Sequence, residues 1–177
     1  QNVYKMKLYD IPDTKASALG EYLPNLIGME PDEKILYATP AYDFGGFMLF
    51  AFESGKIAKV DMKGYETKTN RKKLTNAYGK GKIIGMLYCK EECQVALFSN
   101  IDKCVVFNTK DIMTKTSRSS QGVQVMTMRR KSLLTRIELP EVSLKSTAGY
   151  EARTIPSSEY YLKDEDSATV QTTLFDE

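Results

Sequence analysis

The chain has 177 residues, with 25 Lys and Arg against 23 Asp and Glu and no histidine. That length suffices for one domain with a real core, or for part of a repeat array, while apolar runs such as 46–52 fall far short of the ~20 residues that a membrane-spanning helix needs. Three cysteines, Cys89, Cys93 and Cys104, are too few and too unevenly spaced for a disulfide framework, and without His or a second cysteine pair they do not read as a zinc site.

In chain order, Val3 to Tyr9 alternates apolar and polar residues as a half-buried strand does, and Asp10-Ile11-Pro12 ends it. Residues 14–23 allow one or two helical turns. Asn25 to Met29 reads as a second short strand, Lys34 to Thr39 as a third, and Pro40 to Gly46 as a turn-rich connection. Phe47 to Phe52 is a buried strand, Glu53-Ser54-Gly55 a tight turn, and Lys56 to Met62 the return strand of a hairpin. The order then recurs. A loop over 63–81 leads to the strand Lys82 to Tyr88, a turn at 89–92, the strand Gln94 to Ser99, a turn at 100–102 and the strand Lys103 to Asn108. After a polar loop over 109–121 come the strand Gly122 to Met128, a turn at Arg129-Arg130-Lys131 and a strand from Ser132 to Leu139. Because Val3 to Met6 already reads as strand and no initiator Met precedes it, the chain is expected to be a fragment.

Two registers tie these pieces together. Val3-Tyr4-Lys5-Met6, Ile57-Ala58-Lys59-Val60 and Cys104-Val105-Val106-Phe107 correspond at separations of 54 and 47. Leu26 to Met29, Ile83 to Met86 and Val123 to Met126 correspond at 57 and 40. A period near ~50 with about four short strands per unit predicts an all-β, propeller-like array of roughly three repeats, near 1–46, 47–93 and 94–140, whose units stack to bury their faces. Chance similarity among the strands of an ordinary β domain is the competing reading. The net charge of +2 hides a sharp partition: −3 over residues 1–50, +10 over 51–140 and −5 over 141–177. A block that basic argues for a polyanionic partner.

Several stretches resemble the C-terminal domain of the A subunit of bacterial type IIA topoisomerases, DNA gyrase and topoisomerase IV. They are Val3 to Pro12, Leu19-Gly20 followed by Asn25-Leu26-Ile27, Phe50 to Lys59, Lys68 to Tyr78 and Ser117 to Val123. The resemblance covers residues 1–140 and implies a β-pinwheel, a disc of propeller-like blades that exchange strands with their neighbours and bend DNA around a basic rim. It implies an accessory, non-catalytic role for this chain within an ATP-dependent enzyme. The implied partners are duplex DNA, the B subunit, together with the rest of the A subunit, and ATP and Mg2+ would be used elsewhere in the enzyme. A bacterial cytoplasmic, nucleoid-associated location follows from the same resemblance, and few cysteines suit a reducing cytoplasm. The Gln-Arg-Arg-Gly-Gly-Lys-Gly box of gyrases matches no stretch here, and Leu19 to Asn25 looks somewhat more like topoisomerase IV.

Candidate DNA contacts are Lys68, Arg71, Lys72, Lys73, Tyr78, Lys80 and Lys82 in the central loop, with Lys115 and Arg118 in the third copy. Phosphate contacts carry affinity and little sequence information, so no base-reading helix is required. Lys5, Lys7, Lys56 and Lys59 fall on strands and are expected to be structural. A propeller-like protein-interaction module whose basic face binds an acidic partner is the alternative function. No histidine, carboxylate pair or phosphate-binding loop supports catalysis. From about residue 143 the repeat is lost, and 143–177 reads as an acidic, flexible tail. Its end, with Gln171, Leu174 and Phe175, resembles the short peptide by which bacterial proteins dock into the sliding clamp.

Overall fold

The computed structural model describes residues 1–67, 72–129 and 131–167. Strand β1 (Asn2–Tyr4) opens the chain, and helix α1 (Leu23–Ile27) follows a long irregular stretch. The strand expected at 25–29 is therefore α1. Pro24, whose missing N–H is harmless in a first helical turn, starts it, and Gly28 at a φ of 66° ends it in the left-handed region. Residues 34–39, also expected as a strand, stay irregular; the Tyr88 N–H is met by the Tyr37 hydroxyl, which accepts from it at 3.0 Å, rather than by a backbone carbonyl of this stretch.

The hairpin of β2 (Phe47–Phe52) and β3 (Lys56–Asp61) forms where its apolar run and Gly55 turn predict. Next, β4 (Lys73–Thr75) pairs with β1, and β5 (Ile83–Cys89) pairs with the free side of β2. A second hairpin, β6 (Gln94–Ser99) with β7 (Lys103–Asn108), repeats the first. Each of its strands, and the short 3-10 turn after it, begins 47 residues after the counterpart: Phe47 and Gln94, Lys56 and Lys103, Met62 and Thr109. The strand expected over 122–128 is split into β8 (Val123–Gln124), which pairs with β3, and β9 (Met126–Thr127). The split occurs because the N–H groups of Val125 and Met126 both turn to the Gly55 carbonyl, at 3.1 and 3.2 Å. Then β10 (Leu134–Glu138) pairs with β6 and α2 (Pro140–Ser143) follows; β11 (Ser157–Ser158) runs parallel to β9, β12 (Tyr160–Tyr161) pairs with β7, and α3 (Asp164–Ser167) comes last.

The result is two four-stranded sheets, β5-β2-β3-β8 and β10-β6-β7-β12, beside the β1-β4 pair. In all three the outer neighbour comes from a later segment of chain: the hairpin return strands β3 and β7 set Ile57 opposite Val123 and Cys104 opposite Tyr160, and β1 likewise sets Val3 opposite Leu74. The first sequence register is that of these three strands. The second register does not hold: its first member is α1, Ile83 to Met86 belong to a strand lining β2, and Val123 belongs to one lining β3.

Both faces of each sheet are covered, which is why the hairpin strands read as continuous apolar runs rather than alternating ones. Leu49, Ala51 and Ile57 meet Val95, Leu97, Val105 and Phe107 in the central core, with Val125, Met126 and Leu134 filling the seam. The outer face of the first sheet packs Met48, Phe50, Val60 and Tyr65 together. On the second, Ala96, Phe98 and Val106 are covered by Leu144 and Tyr150. That last packing corrects the expected tail: residues 144–167 complete the second sheet and its core. One member of the acidic run is taken up in this packing: the Asp166 carboxylate, 2% exposed, accepts from the Tyr150 hydroxyl at 2.6 Å and the Lys145 N–H at 2.9 Å, while Asp164 and Glu165 stay exposed.

Candidate nucleic-acid interface

Strand exchange sets the loop over 115–122 along the outer side of β3. It is anchored at one end by Lys115, whose N–H reaches the Lys59 carbonyl at 2.8 Å and whose carbonyl receives the Asp61 N–H at 2.9 Å. At the other end is Gly122, at a φ of 72°. A Cβ there would stand 2.5 Å from the Ile57 carbonyl carbon, so only glycine lets the loop come this close to β3. Between these anchors Arg118 ties the loop to the segment around β4. Its Nη1 donates to the Gly64 carbonyl at 2.7 Å, Nη2 to Thr75 at 3.3 Å and Nε to Asn76 at 3.4 Å, and the guanidinium lies 6.0 Å from the Tyr65 ring centre. Gly79 lies against the Ser120 backbone in the same way.

Two basic segments about 40 residues apart in sequence thus become one edge. The side chains on it play different parts. Lys72, Lys80 and Lys115 are exposed and make no ion pair among the described residues. Lys73 is held between acids and an aromatic: its ammonium is 3.6 Å from the Glu30 carboxylate and 5.3 Å from the Tyr4 ring centre. The Tyr4 hydroxyl raises the Lys73 pKa above its ordinary value. Glu33 completes the cluster, accepting from Tyr4 and Asn2, which bring its carboxyl down to about 2.

Tyr78, a candidate DNA contact, stacks on Phe50 at 5.5 Å and 27° and packs against the outer core; burial raises its phenol pKa. Arg118 is likewise a strut with its donors turned to carbonyls. Lys82 stands apart at the hairpin-turn end, 2.5 Å from Glu53 with its side chain 74% exposed. Exposed Arg129 and Lys131 share that end, next to the β6–β7 turn, where the Asn100 amide reaches the Lys131 carbonyl at 3.2 Å. Lys68, Arg71, Arg130 and the clamp-like Gln171, Leu174 and Phe175 lie outside the described residues.

Beside Arg118 the edge opens into a shallow polar cleft of about 300 Å3 lined by Gly64, Asn76, Thr116, Ser117 and Ser119. None of these was named as a DNA contact from sequence, although Asn76, Ser117 and Ser119 lie in stretches that carry the resemblance. The Ser and Thr run flanking Arg118 was the available signal, since hydroxyls beside a cation are common phosphate partners. Lys59, expected to be structural, is buried in the seam: its Nζ donates to Glu92 at 2.5 Å, the Thr109 carbonyl at 3.0 Å and the Ile112 carbonyl at 3.4 Å, and sits 4.3 Å from the Phe47 ring centre.

No family model matches the chain. Its sequence is 21% identical over 181 residues to the A subunit of DNA gyrase from Mycobacterium leprae, an alignment covering 98% of this chain and 14% of that protein. Among solved structures, the C-terminal domain of DNA topoisomerase IV superposes with a TM-score of 0.62 at 23% identity, over 75% of this chain and 42% of that one. The fold is the topoisomerase β-pinwheel. The gyrase A C-terminal domain superposes with a TM-score of 0.51 at 20% identity over the same shares. The chain spans only about a seventh of the length of the Mycobacterium leprae relative. Sequence and fold agree that what the chain is similar to is the C-terminal domain of a type IIA topoisomerase A subunit, without separating gyrase from topoisomerase IV. No helix among the described residues is long and apolar enough to cross a membrane.

Proposed function

We propose that this chain binds and bends duplex DNA along the basic edge, in the role of the accessory C-terminal domain of a type II topoisomerase A subunit. It would work with the B subunit, together with the rest of its own A subunit, which would supply strand cleavage and the use of ATP and Mg2+. The observation that carries the reading is the union of two basic loops through Arg118, which sets Lys72, Lys80 and Lys115 on neighbouring segments of one edge of a sheet array. A bend of 40–90° over 20–30 base pairs costs on the order of 1–6 kcal/mol, so it needs several phosphate contacts spaced along an arc. Loops that recur with the sheets provide such spacing, and no element that would enter a groove is required. Of the two enzymes, the topoisomerase IV reading is favoured by the segment Leu19 to Asn25 and the higher TM-score, and the gyrase reading by the sequence relatives.

Mobility-shift titration with linear duplexes of graded length tests the proposal. Binding should be independent of sequence, strengthen up to a few tens of base pairs, and disappear with added salt. Joint reversal of Lys72, Lys80 and Lys115 to Glu should weaken it more than tenfold. Absence of binding by the unaltered chain at low salt would overturn the proposal.

A further inference from the structure

We propose that Cys89 and Cys93 form a reactive dithiol, a modification site that exchanges with small disulfides through the cleft beside Cys93. Cys89 is the last residue of β5 and Cys93 immediately precedes β6, so the turn Lys90-Glu91-Glu92 folds the two back on each other. Their sulfurs are 3.5 Å apart, and both thiols are free. Closing that gap to the ~2.05 Å of a disulfide takes a small movement of a turn whose Lys90 and Glu91 are exposed.

The two sulfurs differ in access. Cys93 is half-buried and lines an open cleft of about 440 Å3 together with Gln94, Leu139, Pro140, Leu144 and Lys145; Glu141 also faces it. Cys89 is 5% exposed, and burial with the adjacent Cys93 sulfur pushes its thiol up to about 12. Cys93 is therefore the attacking group and Cys89 the resolving one. Cys104, fully buried among Ala96, Phe98 and Tyr150, is screened from the reaction.

With oxidised glutathione as the oxidant the chemistry balances. The Cys93 thiolate attacks one sulfur of the glutathione disulfide, forming a mixed disulfide and expelling one glutathione thiolate. The Cys89 thiolate then attacks the Cys93 sulfur, forming the Cys89–Cys93 bond and expelling the second. Two protein thiols are oxidised, one disulfide is reduced to two thiols, and the two protons pass to the departing thiolates. The new ring closes over only three intervening residues, so it constrains the unfolded chain little and stays open to re-reduction.

The folded 177-residue chain should be incubated anaerobically with excess oxidised glutathione and then denatured under acid quench for mass and thiol determination. Free thiols should fall from three to one, the intact mass should drop by two hydrogens, and peptide mapping should join Cys89 to Cys93. In Cys89→Ser the adduct should remain as a stable mixed disulfide on Cys93. In Cys93→Ser both remaining thiols should persist. A chain that keeps all three thiols, retains a stable adduct without closing the ring, or joins Cys104 to either partner would overturn the proposal; the unaltered chain alone decides this.

Discussion

Arg118 separates two accounts of the basic edge, because a strut and a phosphate contact fail in different assays. Replacing it with Ala removes three hydrogen bonds to carbonyls, of which the one to Gly64 at 2.7 Å is short and charge-assisted and those to Thr75 and Asn76, at 3.3 and 3.4 Å, are long. Counting the first at about 1.5 kcal/mol and the long pair together at about 0.5–1 kcal/mol gives a loss of about 2 kcal/mol. The ring contact with Tyr65, at 6.0 Å, sits at the outer limit for cation–π attraction and adds little. With a urea slope of about 1–3 kcal/mol per molar for a domain of this size, the unfolding midpoint should fall by roughly 1 M. Arg118→Lys should recover less than half of the loss, since one ammonium cannot span three carbonyls. The chain has no Trp, so tyrosine fluorescence or far-ultraviolet dichroism would follow the transition. An Arg118→Ala chain with an unchanged midpoint and weakened DNA binding would refute the strut.

The seam, the edge loop and the charge inventory each give a further test. Lys59→Met strips the Thr109 and Ile112 carbonyls of a buried donor, and Glu92, 47% exposed at its side chain, can regain water; the expected cost is about 2–4 kcal/mol in urea unfolding. Burial acts to raise the Glu92 pKa, but hydrogen bonds from Lys59 and Thr109 outweigh it and leave the carboxyl below its ordinary value. The folded state then holds fewer protons than the unfolded one, so this contribution is complete above the ordinary carboxylate pKa of about 4.3 and is lost as pH falls through the lower folded value. The stability gap between the unaltered chain and Glu92→Gln should accordingly narrow below about pH 4. Gly122→Ala forces a Cβ to within 2.5 Å of the Ile57 carbonyl at a φ of 72° and should cost more than about 2 kcal/mol, with early loss of amide protection where β8 meets β3. Removing one lysine–phosphate pairing should reduce the magnitude of the salt slope by about 0.9. Neutralising Lys72 should do so, whereas Lys103→Met, which removes the partner of Glu159 at 3.4 Å, should lower stability and leave the slope unchanged.

The hairpins were legible because their chemistry is local. Phe47 to Phe52 and Gln94 to Ser99 are apolar runs of strand length, each ended by a turn and followed by a return strand, and burial on both faces leaves no alternation to misread. The first register was legible for the same reason, since Val3, Ile57 and Cys104 occupy one structural role. What sequence did not disclose was the partner of each of these strands. It comes from 71, 66 and 56 residues further on, as a piece of two or three residues with no periodicity of its own. For that reason Tyr160-Tyr161 and the segment before it passed for tail. Leu26-Ile27-Gly28-Met29 passed for strand because four apolar or small residues carry no period, and Pro24 with Gly28 outweighed them.

The candidate site was legible as charge and illegible as available charge. Of the cations behind the +10 of the central segment, Lys59 is sealed in the seam, Lys103 and Arg136 face Glu159 and Glu138, and Arg118 is spent on carbonyls. A string of letters gives each of these the same weight as Lys80. Strand exchange makes the distinction, because the segment that supplies an outer strand must be tied down along its approach, and the cation nearest the tie serves as the fastener. Cations a few residues from it, such as Lys115, are left on the outside. A basic loop in an array of this kind therefore divides into cations whose donors are spent within the fold and cations left exposed, and the salt slope expected of the proposed DNA binding counts only the latter.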